Sequence, residues 1–251
     1  MATKVLKQSL ILFCLIVFSQ NIVNAAELRL ATAANFYPTL KKITQSFEDI
    51  TDHKVTIIRG STGRLYAQIV KGAPYDIFFS ADSARVDKLV KQGKSLEFET
   101  GKRSFVYAIG QLALWRPDAD SSQQLRERLI TGNFNKLAIA NPKIAPYGKA
   151  SVEVLKELEL YEEIKHKLVY GENISQTLQF VQSGAADLGL VARSYVNTDI
   201  YWEIDSYQHK SIKQKVVLLK QSKQIEIAKE FMQYLQSPAI KKVITSDGYS
   251  L

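Results

Sequence analysis

The chain has 251 residues, 33 Lys and Arg against 25 Asp and Glu, a formal charge of +8, and a single cysteine, Cys14. One cysteine excludes a disulfide scaffold, and since Cys14 falls in an N-terminal leader, thiol catalysis by the mature chain is excluded with it. The basic excess is dispersed, as in KELELYEEIKHK, and no basic run sits beside stacking aromatics, so no nucleic-acid surface is expected.

Residues 1–25 place Lys4 and Lys7 before an apolar run from Leu10 to Phe18 and end in the small-residue pattern Val23-Asn24-Ala25. The run is about half of the roughly 20 residues that a bilayer span needs, so a signal peptide cleaved after Ala25 is expected. Bulky Phe13 before Cys14 argues against lipid attachment. The remaining chain keeps a modest positive charge, a field that favours anionic ligands.

Alternation over Leu28–Ala33 predicts a strand, and Asn35 is a candidate N-cap for a helix carrying Phe36, Leu40, Ile43, Phe47 and Ile50 at helical spacing. Val55–Ile58 predicts a second strand, Leu65–Val70 a short helix ending at Gly72, Tyr75–Phe79 a third strand, and Asp82–Lys91 a third helix. The pattern then restarts with a long strand over Tyr107–Trp115, followed by a helix over Ser121–Leu129 and a strand over Lys136–Ala140. A helix over Tyr147–Leu158, a strand over Lys167–Tyr170, a helix over Ser175–Gln182 and a strand over Asp187–Ala192 complete this second series. Val216–Lys220 closes as a strand and Ile225–Gln236 as a helix. This is an α/β pattern of mostly parallel sheets flanked by helices, with no linker dividing it. Two intertwined lobes are expected, residues 26–107 with 201–251 forming the first and 108–200 the second.

Ligands of open α/β sheets gather where strands hand over to helices, because a helix leaves its first backbone N–H groups unpaired and its dipole favours negative charge there. Four such junctions share this chemistry: Ala33-Ala34-Asn35-Phe36, Gly60-Ser61-Thr62-Gly63, Ala145-Pro146-Tyr147-Gly148, and Gly171-Glu172-Asn173-Ile174-Ser175. Ser61 and Thr62 add hydroxyl donors, and the stretch RGSTGRLYAQ lacks the lysine of a phosphate loop. Hydrogen bonds from neutral groups, without a counter-charge, are therefore expected to hold an anion. Asp76 and Asp82, either side of Ser80, fit turn and cap roles better than a catalytic pair, and His53, His166 and His209 are scattered among polar residues. Neither a metal-binding set nor a nucleophile–base pair is legible.

The segments ATAANFYPTL, GSTGRLYAQIVKGAPYDIFFSAD, YAIGQLALW, IANPKIAPYGKAS and GENISQTLQFVQSGAADLGLVA, in this order and spacing, closely resemble the exported molybdate-binding proteins of ABC importers. The resemblance implies a two-lobed type II periplasmic binding protein fold with the ligand between the lobes. It also implies a periplasmic location, no enzymatic activity, no cofactor, a monomeric state and a membrane permease as partner. It places the oxyanion, molybdate or tungstate, on Ala34 and Asn35, on a hydroxyl at Thr62, and on backbone amides at Tyr147 and Ile174, with the Tyr147 hydroxyl as a further donor; Ser61 joins this set as the hydroxyl donor read from the turn itself. Asn35, Thr62 and Tyr147 would meet the metal-centred anion through its oxygens, with no direct metal ligation. Two positions depart from the family pattern: Ala34 stands where relatives place a threonine, and Ala192 where another branch places a tyrosine. Sulfate, phosphate or a small organic acid is the alternative ligand, and a secreted enzyme or adhesin on the same scaffold the alternative class.

Overall fold

Two five-stranded sheets organise the chain, and the computed structural model describes residues 27–251. The signal peptide expected at residues 1–25 lies outside the described residues. In chain order the strands are β1 (Glu27–Ala33), β2 (Lys54–Gly60), β3 (Ile77–Ser80), β4 (Ser104–Gly110), β5 (Leu112–Trp115), β6 (Leu137–Ala140), β7 (Leu168–Gly171), β8 (Leu188–Ala192), β9 (Trp202–Glu203) and β10 (Ile212–Leu218). The helices are α1 (Tyr37–Ile50), α2 (Thr62–Val70), α3 (Ser83–Lys91), α4 (Ser122–Ile130), α5 (Pro146–Glu157), α6 (Tyr161–Ile164), α7 (Ile174–Gln182), α8 (Ile225–Tyr234) and α9 (Pro238–Ser246).

The first sheet has the order β2-β1-β3-β10-β4 and the second β7-β6-β8-β5-β9. In the first, β1 runs parallel to β2 and β3 while β10 is antiparallel to β3 and β4. In the second, β6 runs parallel to β7 and β8, and β5 is antiparallel to β8 and β9. Register decides where the loops emerge. Ala33 lies level with Gly60, and Ala140 with Gly171, so neighbouring parallel strands end together and release their loops at one height. Each sheet is buried on both faces. Phe36, Leu40, Phe47, Phe231 and Met232 cover one side of the first sheet, and Leu65, Ile69, Val86 and Leu89 the other. Leu125, Leu129, Val154 and Leu155 cover one side of the second, with Leu178 and Val181 opposite.

Several sequence expectations are corrected by this arrangement. The run from Tyr107 to Trp115 is two strands: it leaves the first sheet after Gly110 and enters the second at Leu112, a step invisible in a stretch whose apolar side chains suit either sheet. Sheet membership therefore changes at Gln111 and again between Glu203 and Ile212, later in both cases than residues 107/108 and 200/201. Asn35 is not an N-cap: Ala34–Phe36 forms a 3-10 turn capped at Ala33, because the Asn35 side chain is drawn into bonds with the far end of the chain. The closing helix also has a successor, α9, signalled by Ser237, whose hydroxyl caps Ile240 N, and by Pro238 at the first helical position. Asp82 caps α3 by accepting from Arg85 N, and Asp76 accepts from Arg29 N at 2.7 Å and from the Ser222 hydroxyl at 2.7 Å, the structural roles expected of both.

Candidate functional site

The four strand-to-helix junctions converge. Ala34, Asn35, Ser61, Thr62, Tyr147 and Ile174 line one cleft between the sheets, together with Ala33, Gly60, Ala81, Ala145, Pro146 and Asn173. All six expected residues are 3 % exposed or less, and the cavity between them measures about 10 Å³. No Asp, Glu, Lys or Arg lines it among the described residues.

Ser61 occupies the N-cap position of α2, where a serine ordinarily accepts a hydrogen bond from the first turn. It makes no such bond, and its Oγ is buried without a partner. A buried unpaired hydroxyl costs about 1–3 kcal/mol, so something must repay it. Thr62 Oγ1 accepts from Ala81 N at 3.2 Å, which leaves its own proton unspent. α5 opens with Ala145 and Pro146 and carries no side-chain cap, so the Tyr147 N–H has no capping acceptor. On α7 the Asn173 side chain accepts from Ser175 N and Gln176 N, leaving Ile174 N outside the cap.

At the first junction the carbonyls are tied back. Ala34 O accepts from Tyr195 Oη at 2.6 Å, and Asn35 O from Tyr249 Oη at 2.8 Å and Ser194 Oγ at 3.3 Å. In a trans peptide the N–H points opposite to the carbonyl, so these bonds hold each acceptor away from the side its N–H faces. Asn35 differs from expectation in one respect: its Nδ2 donates to Gln214 Oε1 at 2.8 Å and Tyr249 Oη at 3.2 Å, so its side chain braces the site floor. Burial pushes the Tyr107, Tyr147 and Tyr249 phenols well above their ordinary value, which keeps them protonated and able to donate.

Two glycines make room for this. A Cβ on Gly110 would lie 2.2 Å from Tyr147 Oη, and one on Gly148 would lie 2.0 Å from Ala140 O. Gly63 brings its backbone to the other lobe: its N–H donates to Ile144 O at 2.9 Å. That bond, the Tyr195–Ala34 bond and an Arg64–Glu172 ion pair of 2.7 Å link the lobes in a closed arrangement. Beside the cleft, a groove of about 670 Å³ is lined by Arg85, Lys88, Lys143, Lys149, Lys210 and Lys213, with Asp82 and Glu153 as its acids among the described residues. Tyr201 and Trp202 pack near the crossover under Arg193 and Arg126, without reaching the cleft. No cluster of three or more His, Cys, Asp or Glu suited to a metal ion occurs among the described residues.

Gln214, Tyr195 and Tyr249 have no signal in the sequence. They lie beyond any local motif, up to 214 residues from the groups they contact.

The family model for bacterial extracellular solute-binding proteins matches residues 28–250. The chain is 40 % identical over 233 residues to the molybdate-binding protein ModA of Azotobacter vinelandii, covering 90 % of this chain and 91 % of that one. It is 37 % identical over 228 residues to the ModA of Rhodobacter capsulatus, covering 90 % and 88 %. The solved periplasmic molybdate-binding protein of A. vinelandii superposes with a TM-score of 0.83 at 36 % identity, over 89 % of this chain and 99 % of that one.

Proposed function

The chain belongs to the bacterial extracellular solute-binding protein family, and from that premise we propose that it captures molybdate in the interlobe cleft and delivers it to an ABC importer. The observation that carries this reading is the cleft's composition: neutral donors converge from both lobes, among them the orphaned Ser61 hydroxyl, and no acid among the described residues lines the cavity. Molybdate at neutral pH is a tetrahedral dianion whose oxygens only accept. About six charge-assisted bonds at roughly 1.5–3 kcal/mol each give on the order of 9–18 kcal/mol gross, enough after ordering costs for micromolar to nanomolar binding. The names of the relatives support molybdate in particular. Ala34 supplies only an amide, so the hydroxyls of Ser61, Thr62 and Tyr147 carry the side-chain share of recognition.

The same composition disfavours phosphate, whose residual proton needs an acceptor that this rim does not offer. Sulfate needs none, and only the size of the closed cavity separates it from molybdate. Tungstate, nearly isosteric with molybdate, binds alongside it. The cavity is small enough that loading requires the lobes to part and close again, a hinge motion about the two crossings that divide residues 27–110 and 212–251 from 112–203. The protein works as a periplasmic monomer without a cofactor, its other partner a membrane permease and not a nucleic acid. Chemistry on the ligand has no support, because Ser61 Oγ has no base within hydrogen-bonding distance.

Thermal denaturation with a panel of anions tests this directly. Molybdate and tungstate at 100 times their Kd add about 2.7 kcal/mol of stability and raise the midpoint, while phosphate and citrate leave it in place. A rise with sulfate or phosphate and none with molybdate rejects the assignment.

A further inference from the structure

Gln214 is completely buried on β10, 67 residues along the chain from Tyr147, and it joins three parts of the site. Its Oε1 accepts from Asn35 Nδ2 at 2.8 Å and from Tyr107 Oη at 3.0 Å. With its oxygen thus engaged, its Nε2 faces Tyr147 Oη at 3.4 Å and is the donor of that bond. Tyr107 is itself fixed, with its ring 4.5 Å from Phe36 and 5.3 Å from Phe79, so the acceptor end of Gln214 has little freedom to turn. Gly110 completes the arrangement, because a Cβ there would stand 2.2 Å from Tyr147 Oη and 2.9 Å from Gln214 Nε2.

A phenol that already receives a hydrogen bond keeps its own proton for another acceptor. We infer that Gln214 is a positioning residue for anion capture: by donating to Tyr147 Oη while Asn35 and Tyr107 hold its oxygen, it turns the Tyr147 proton towards the cleft. Gln214 does not line the cavity and reaches the ligand side through Tyr147, with Asn35 held on its other end. Were the amide reversed, its oxygen would take the Tyr147 proton and two donors would meet face to face on the opposite side. The fixed Tyr107 and Asn35 thus set the polarity of a group at the ligand. This inference rests on the proposed molybdate site.

The test is a double-mutant cycle of Gln214→Leu and Tyr147→Phe, read by molybdate titration and by the near-ultraviolet tyrosine difference spectrum that molybdate induces. Gln214→Leu should weaken molybdate binding about tenfold or more in the wild-type background and less than about twofold in Tyr147→Phe. It should also remove the part of the difference spectrum that Tyr147→Phe removes. Gln214→Glu keeps acceptors for Asn35 and Tyr107 and guards against a Leu variant that fails to fold. As its carboxylate ionises with rising pH, it takes the Tyr147 proton, so its binding weakens with pH more steeply than in the Tyr147→Phe, Gln214→Glu double variant. Additive losses, an unchanged difference spectrum or equal pH profiles overturn the positioning role while leaving the ligand assignment intact. A wild-type protein that does not bind molybdate overturns both.

Discussion

Ser61→Asp abolishes oxyanion binding. The position is the N-cap of α2, where a carboxylate can take the first-turn amides and complement the helix dipole, which offsets part of the cost of burying its charge at a residue 2 % exposed. A carboxylate about 4 Å from a dianion, at an effective dielectric constant near 20, costs roughly 4 kcal/mol per charge of the ligand, on the order of 8 kcal/mol in all. It also captures the first-turn amides that would otherwise meet the anion. Binding should fall by at least about four orders of magnitude, beyond detection by calorimetry. Ser61→Ala separates affinity from stability: it removes a buried donor that has no partner in the structure, so stability holds while affinity falls about tenfold or more. Molybdate affinity within a factor of two of wild type in Ser61→Asp would place the ligand elsewhere.

Gly148→Ala, one methyl group in the other lobe, has the largest expected effect on the fold. Its Cβ would stand 2.0 Å from Ala140 O and 2.5 Å from Ala140 C, both backbone atoms of β6, which cannot rotate aside. α5 must therefore lift from the sheet, carrying Tyr147 and Ala150 with it. Overpacking costs about 1–3 kcal/mol where side chains can yield, so a backbone clash belongs at about 3 kcal/mol or above. For a chain of this size that lowers the thermal midpoint by roughly 6–12 °C. Molybdate affinity falls as well, since Tyr147 moves. A midpoint unchanged by the substitution would show that α5 does not pack as described.

How far the site is legible in the sequence follows from how local its parts are. The four junctions are each a few residues long, and glycine, serine, proline and asparagine at strand ends carry their signal in place, so the amino-acid order picks out the junctions, and the family resemblance the residues within them. What fixes them is not legible in the same way. Gln214 and Tyr249 come from the C-terminal third, and nothing in KQKVVLL or SDGYS distinguishes a buried glutamine or tyrosine from its neighbours. For the same reason Asn35 reads as a helix cap: asparagine before an apolar periodic run is an ordinary cap, and only the tertiary partners 179 and 214 residues away redirect its amide. The division of Tyr107–Trp115 into β4 and β5 is hidden because its apolar side chains suit either sheet, and the Gly110-Gln111 pair at the break reads equally as an interruption within one strand.

The closed state also explains why no lysine among the described residues stands in the cavity although the neighbouring groove is basic. Six cationic side chains line the neighbouring groove, where solvent screens them, and the cavity keeps donors that cannot titrate near neutrality. Arg64, exposed, and Glu172, half-buried, span the lobe boundary at its edge without lining the cavity.

That distinction gives the most direct measurement: the Kd of molybdate by isothermal titration at about pH 6 and about pH 9, a window in which ordinary carboxylates, lysines and phenols keep their charge states. No histidine among the described residues lines the cavity, and burial holds the Tyr147 phenol well above this range, so the two values should agree within about twofold. A tenfold or greater weakening between them would mean that a titrating charge grips the anion, and the account of a neutral cage would be wrong.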